Sequence, residues 1–178
     1  MTTPIIAALT SQVYDEFIAP LDDPLPAALV RVEPDKGYAA LAQAVNAHQA
    51  EIMMTGWGSL PLPATFRQDC PSVNYVCHVT GALRWLIPRE LIERGLLVTN
   101  WGDAASDSVA EGALHLVLSC LRGSVQCVMN MHVRREWREG VGEPRSLLGR
   151  SVGLHGFGRV ARQLARLLEP FACRVSAR

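Results

Sequence analysis

The chain lacks net charge of either sign. Lys plus Arg and Asp plus Glu each number 17 in its 178 residues, so the concentrated positive field of a nucleic-acid binder is missing. Its basic cluster, Arg134 to Arg138, is interrupted by Glu136 and followed by Glu139, and reads as a solvated helix end. Long apolar runs are also missing, since none reaches the ~18 residues of a membrane span. The opening stretch MTTPIIAALTSQVYDEF has no basic segment before its short apolar run, which argues against a secretory leader. None of the five cysteines, Cys70, Cys77, Cys120, Cys127 and Cys173, forms a CxxC pair. With an odd count, buried free thiols in a reducing compartment fit better than a disulfide framework, and no metal-ligating set is assigned. The expectation is a cytoplasmic protein with neither a nucleic-acid nor a membrane partner.

What is present is apolar residues, 49% of the chain, arranged in short runs. Strands are expected at Thr3 to Leu9, Ala27 to Pro34, Glu51 to Ser59, Val73 to Gly81 and Leu96 to Trp101. Between them lie helical patterns. Tyr38 to Gln49 places Leu41, Ala44, Val45 and His48 at helical spacing. Leu62 to Cys70 is a short helix or turn. Pro88 to Gly95 opens on proline and closes on glycine, the usual helix punctuation. Apolar runs alternating with helices argue for βαβ units and a parallel sheet, and ligands of such sheets gather at the carboxyl ends of the strands. Three strand ends carry glycines: Thr55 to Gly58, Val79 to Ala82 and His155 to Gly158. Each is open to two readings, a tight turn or a ligand-facing edge.

Residues 103–137 contain a long helix, expected from Val109 to about Val133. Ser108 and Glu111 have the spacing of a capping box, in which hydroxyl and carboxylate each satisfy the other residue's backbone N–H. Two apolar stripes follow, Val109-Ala113-Leu116-Val117-Cys120 and Leu114-Leu118-Leu121-Val125-Val128. A helix apolar on two faces needs cover on both. Gly123 is expected to weaken or kink it, and Arg138 to Arg150, rich in Gly, Pro and charge, reads as a connecting loop.

The segment from Ser151 reads as strand, glycine turn, helix and second strand. Gly156-x-Gly158-x-x-Ala161 has the form of a dinucleotide fingerprint. In that motif the first glycine permits the turn, the second lets the backbone approach a pyrophosphate, and the small third residue lets helix and strand pack. The phosphate rests on the free N–H groups of the helix start, here those of Arg159 and Val160. The acidic residue that reads the ribose lies ~20 positions further on, at or past Arg178, so NAD and NADP both stay open.

Three motifs in order give a broader likeness. Glu93 to Asn100 reads E-R-G-x-x-V-T-N, Val109-Ala110-Glu111 opens a helix, and the glycine run extends from Leu147 or Leu148 to Ala161. Together they resemble the D-isomer-specific 2-hydroxyacid dehydrogenase family, over about Ile52 to Arg178. The resemblance implies an α/β enzyme with a flavodoxin-like substrate domain at 1–100, then the start of a Rossmann NAD-binding domain at 101–178. It implies a cleft between lobes for NAD(H) and a 2-hydroxy or 2-keto acid, and a homodimer through the helix from Val109. It places Ser108 near the cofactor and the substrate carboxylate on the loop Thr80, Gly81 and Ala82.

The sequence departs from the family at that loop. Where the pattern is G-x-G-V-D, it reads Gly81-Ala82-Leu83-Arg84-Trp85, without the second glycine or the aspartate. Arg84 is open to two readings, a contact to the substrate acid or a structural ion pair, and His155 reads as a strand-end residue. His48, His78, His115 and His132 match no catalytic motif. The resemblance implies that the substrate arginine, the acid/base histidine and its carboxylate would follow Arg178. The chain is therefore expected to be an N-terminal portion of an NAD(P)-dependent oxidoreductase acting on the CH–OH of a 2-hydroxy acid, with no catalytic residue assigned. The alternative is a non-catalytic dimerisation module of the same descent.

Overall fold

Consecutive residues of the first strand point to opposite sides and are buried on both: Ile6 and Ala8 face one core, Ala7 and Leu9 the other. Such double burial is what a parallel sheet between helix layers requires. The structure, a computed structural model, describes residues 4–21, 28–137 and 139–178. It divides into two units, Met1–Gly102 and Asp103–Arg178.

In the first unit the order is β1 (Ile5–Ala8), α1 (Ser11–Phe17), β2 (Leu29–Arg31), α2 (Gly37–His48), β3 (Ile52–Thr55), α3 (Phe66–Asp69), β4 (Tyr75–His78), α4 (Arg89–Glu93) and β5 (Leu97–Thr99). All pairings are parallel, and the strand order β2-β1-β3-β4-β5 is that of flavodoxin-like sheets. The expected α/β architecture with five parallel strands is thus what the chain forms. On one face, Leu41 and Val45 of α2, Phe66 of α3 and Leu91 of α4 pack with Ile6, Met53 and Val76. On the other, Val13 of α1 packs with Ala7, Leu9 and Met54. Each large side chain so buried contributes about 1.5–3 kcal/mol. Helix α1 starts where Thr10 Oγ1 accepts the Val13 N–H at 3.3 Å, an ordinary N-cap.

The expected boundaries were wider than the observed ones. Thr3 and Ala27, included in the first two strand expectations, lie outside the described residues, as does Arg138. Pro88 is the residue before α4 rather than its first member, with φ −55° and ψ 138°. Gly95 stands just past the helix at φ +90°, the left-handed position that favours glycine.

The second unit holds α5 (Ser106–Arg122), α6 (Ser124–Met129), a wide turn at Asn130–Arg134, β6 (Ser151–Leu154), α7 (Arg159–Leu168) and β7 (Arg174–Ala177). Strands β6 and β7 pair in parallel from Ser151 opposite Arg174 to Leu154 opposite Ala177, and α5 packs against α7. This is the strand–turn–helix–strand opening of a Rossmann unit.

Two expectations for the long helix are corrected. The capping box does not form. The Ser106 N–H bonds to the Asp103 carbonyl at 2.9 Å, so a turn starts the helix early, with Ala105 at the N-cap and no side-chain cap. Ser108 is then an exposed residue inside the first turn. Nor is the helix continuous. Gly123 adopts φ +63°, and the segments before and after it are bent by 65°. Among the described residues no single helix is long and apolar enough to cross a membrane; α5 and the segment after Gly123 reach that length and composition only together, across the bend. Neither apolar stripe is fully buried: Leu114, Leu118 and Leu121 are half-buried, while Val109, Leu116, Val125 and Val128 are exposed. Cys120 is exposed as well, contrary to the expectation of buried thiols.

Candidate functional site

The glycine turn joins β6 to α7. Gly156 holds φ +86°, a conformation costly for a residue with a Cβ. Its N–H bonds to the Arg178 carbonyl at 2.7 Å, which ties the turn to the end of β7. Gly158 is the N-cap of α7, with φ −75°, and its carbonyl accepts the Arg162 N–H at 3.0 Å. A side chain is therefore allowed there by backbone conformation. It is also allowed by space, since an added Cβ would meet nothing within 4 Å. Packing within the chain does not require this glycine. The Arg159, Val160 and Ala161 N–H groups belong to the first turn of α7, where helices leave donors without intrahelical partners. They offer an anion both hydrogen bonds and the positive end of the helix dipole. Val160 and Ala161 are half-buried, and Arg159 is exposed. The Arg159 guanidinium is 2.7 Å from Asp103, so a cation stands at the same helix end. Gly153, Leu154, His155, Ser176, Ala177 and Arg178 line an open cleft at the carboxyl ends of β6 and β7. The Gly156-to-Ala161 turn, with its open backbone and helix-start N–H groups, fits a dinucleotide pyrophosphate. His155 is exposed at the strand end, as its strand-end reading expects.

In the first unit the carboxyl edge of the sheet brings together the ends of β1, β3, β4 and β5. Thr80 is fully buried. Its hydroxyl lies 2.7 Å from His78 Nε2, and Thr55 Oγ1 lies 3.0 Å from His78 Nδ1. Thr80 thus turns inward and anchors the loop, while Gly81 is half-buried and Ala82 is exposed. Among the described residues the Gly81 and Ala82 N–H groups have no acceptor. The loop is also held from β5: Asn100 Nδ2 donates to the Gly81 carbonyl at 2.6 Å, and the Trp101 N–H donates to the Thr80 carbonyl at 3.3 Å. Arg84 is exposed, and none of the ion pairs among the described residues involves it.

The end of β3 is locked differently. Ser59 Oγ donates to the Ala8 carbonyl at 2.6 Å and accepts the Gly56 N–H at 2.8 Å. A Cβ on Gly56 would come within 2.7 Å of Val13, so this glycine serves close packing. Between Gly56 and Gly58 stands Trp57, edge-on to Phe17 at 5.7 Å and to Trp101 at 5.5 Å.

Sequence reasoning missed the buried Thr55–His78–Thr80 staple and the aromatic cluster. The staple had a partial signal, His78 and Thr80 being two residues apart on one strand face. Thr55 joins them because β3 and β4 pair with Thr55 opposite His78, which no local pattern states. Burial pushes the His78 pKa below its ordinary value, leaving a neutral ring between two hydroxyls.

No family model matches the chain. Glyoxylate/hydroxypyruvate reductase A of Arabidopsis thaliana is 29% identical over 125 residues, which are 69% of this chain and 39% of that protein. Hydroxyphenylpyruvate reductase of Plectranthus scutellarioides is 36% identical over 86 residues, 47% of this chain and 27% of that one. Among solved structures, the NADPH-dependent glyoxylate/hydroxypyruvate reductase of Sinorhizobium meliloti, in complex with citrate, matches with a TM-score of 0.70 at 25% identity. That match covers 98% of this chain and 53% of that one. The chain spans less than two-fifths of each of these curated relatives and about half of the solved chain. The resemblance read from the three motifs is thereby shown: the chain is similar to D-isomer-specific 2-hydroxyacid dehydrogenases over part of their length.

Proposed function

We propose that the chain serves the NAD(P)-dependent interconversion of a 2-keto acid and its 2-hydroxy acid. The observation that carries this reading is Gly158, the N-cap residue of the helix in a β-turn-α unit, where an added Cβ would meet no atom of the chain within 4 Å. Residues 101–178 are the nucleotide domain in this reading. Gly156, Gly158, Arg159, Val160 and Ala161 hold the pyrophosphate, and Ser108, exposed on the first turn of α5, lies toward the cofactor. Residues 1–100 are the substrate domain. There the Gly81 and Ala82 amides take the carboxylate of the acid, and buried Thr80 fixes their backbone. The bound dinucleotide supplies or accepts the hydride. The chain's own residues bind and orient; no acid/base group is assigned among them.

A homodimer through α5 belongs to the same reading. It is supported by Leu116 of α5, 63% exposed, and is extended by Val125 of α6, 73% exposed, which solvated helix faces do not explain. A cytoplasmic setting is supported by five cysteines without a disulfide among them.

The test is titration with NADH and with NADPH, followed by energy transfer from tryptophan to the nicotinamide. Wild-type chain is expected to bind at least one of them. Gly158→Ala is expected to weaken that binding about tenfold or more, with stability changed by no more than about 1 kcal/mol, the scale of an N-cap change. Failure of both nucleotides to bind, or equal binding by the variant, overturns the reading and favours the dimerisation module.

A further inference from the structure

The carboxylate loop has a neighbour that the sequence did not single out. A Cβ on Gly81 would lie 2.8 Å from Trp101 Nε1 and 3.1 Å from Cε2 and Cζ2. The N–H edge of the indole therefore rests on the glycine itself. Gly81 must lack a side chain because the ring occupies that space.

The ring is firmly held. Trp57 meets it edge-on at 5.5 Å and Phe17 at 6.4 Å. Its backbone N–H bonds to the Thr80 carbonyl at 3.3 Å. On either side of it Asn100 bridges, donating to the Gly81 carbonyl at 2.6 Å and accepting the Gly102 N–H at 3.1 Å. A half-buried indole normally gives its N–H to an acceptor. Among the described residues Trp101 Nε1 has none. The Gly81 and Ala82 amides beside it are in the same condition. The indole Nε1 packs against Gly81, next to two backbone donors of the same loop, and none of the three has an acceptor among the described residues; together they offer hydrogen bonds to an anion with several lone pairs.

We propose that Trp101 is a substrate-binding residue, its indole N–H joining the Gly81 and Ala82 amides on the carboxylate of a 2-keto acid. The inference rests on the reading that those two amides hold the carboxylate. It gives the loop, which has a single glycine, a third donor from the neighbouring strand end. An indole is suited to the task, being neutral and a donor only. It cannot turn an acceptor toward the anion, as a hydroxyl can. Phe17 and Trp57 act as positioning residues that fix the ring before the acid arrives, which reduces the ordering cost of binding.

The experiment is a titration of the ¹⁵N-labelled chain with pyruvate, read in amide and indole resonances. The Gly81 and Ala82 amides and the Trp101 indole N–H are expected to shift along one saturation curve. The indole signals of Trp85 and Trp137 should stay in place. Trp101→Phe keeps an aromatic ring against Trp57 and Phe17 but removes the donor. It is expected to weaken pyruvate binding about tenfold, or about 1.4 kcal/mol, with the Gly81 and Ala82 shifts retained at saturation. If those amides shift in the wild type while the Trp101 indole does not, or if Trp101→Phe binds pyruvate as the wild type does, the inference is overturned and the amide site stands. If Gly81 and Ala82 do not respond at all, the carboxylate site itself fails, and this role of Trp101 with it.

Discussion

Acid should destabilise the first unit through one residue. His78 is 1% exposed, and its two ring nitrogens lie 3.0 Å from Thr55 Oγ1 and 2.7 Å from Thr80 Oγ1. A neutral imidazole has one N–H and one lone pair, so one hydroxyl accepts and the other donates. Protonation makes both nitrogens donors, so the hydroxyl that donated must turn to accept, and it places a charge where burial disfavours it. The native pKa is accordingly held below the ordinary 6.5, burial being the cause. As pH falls from 6.5 toward that depressed value, the unfolded chain takes up the proton and the native chain does not. The stabilisation is thus complete above 6.5 and is lost as pH falls. One proton gives a slope of about 1.4 kcal/mol per pH unit. For a domain of about 100 residues that is about 5–10 °C in Tm per unit.

His78→Gln keeps one donor and one acceptor but does not titrate. Melts of both proteins between pH 7.5 and 5, by circular dichroism, isolate the effect from every other group. At pH 7.5 the wild type is expected to be the more stable. The gap should close below pH 6.5 as the wild type falls faster. Parallel curves for the two proteins across that range would refute the reasoning, because a histidine that titrates normally in the native state adds no slope.

Two further outcomes follow from the packing and the exposed helix. Gly81→Ala places a methyl 2.8 Å from the Trp101 indole; the ring must move, at a cost of about 1–3 kcal/mol for overpacking. Tryptophan emission should shift to the red and pyruvate binding should be lost, and unchanged emission would show that the loop yields instead. Leu116→Glu combined with Val125→Glu puts charges on residues that are 63% and 73% exposed. Sedimentation should find the wild type associated and the double variant monomeric with its helicity intact; a monomeric wild type would rule out the α5 interface.

The elements were legible because burial direction is written locally. Ile5–Ala8 and Ile52–Thr55 form strands without polar alternation, and such short runs between turn residues suit a sheet covered on both faces. The glycine turn was legible for a similar reason. Gly156 at positive φ is a backbone demand that few other residues meet, and Gly158 stands at the start of the helix that follows. Helix starts were less legible. The Ser108–Glu111 spacing promised a cap, yet the turn at Asp103 began α5 at Ser106, because a backbone bond formed upstream made the side-chain cap unnecessary.

By itself, then, the sequence determined the kinds of element, the parallel layering and the glycine turn before α7, all of which depend on residues within a few positions of one another. Only the tertiary structure decided what meets at the strand ends. His78 finds Thr55 because β3 and β4 pair in that register. Trp101 covers Gly81, twenty residues earlier, because β4 and β5 are neighbours and their following loops leave the sheet at the same edge. Strand order and register are set by the burial of whole faces, a sum over the entire sheet. The contacts they create therefore bear no periodicity that a local stretch of sequence could display.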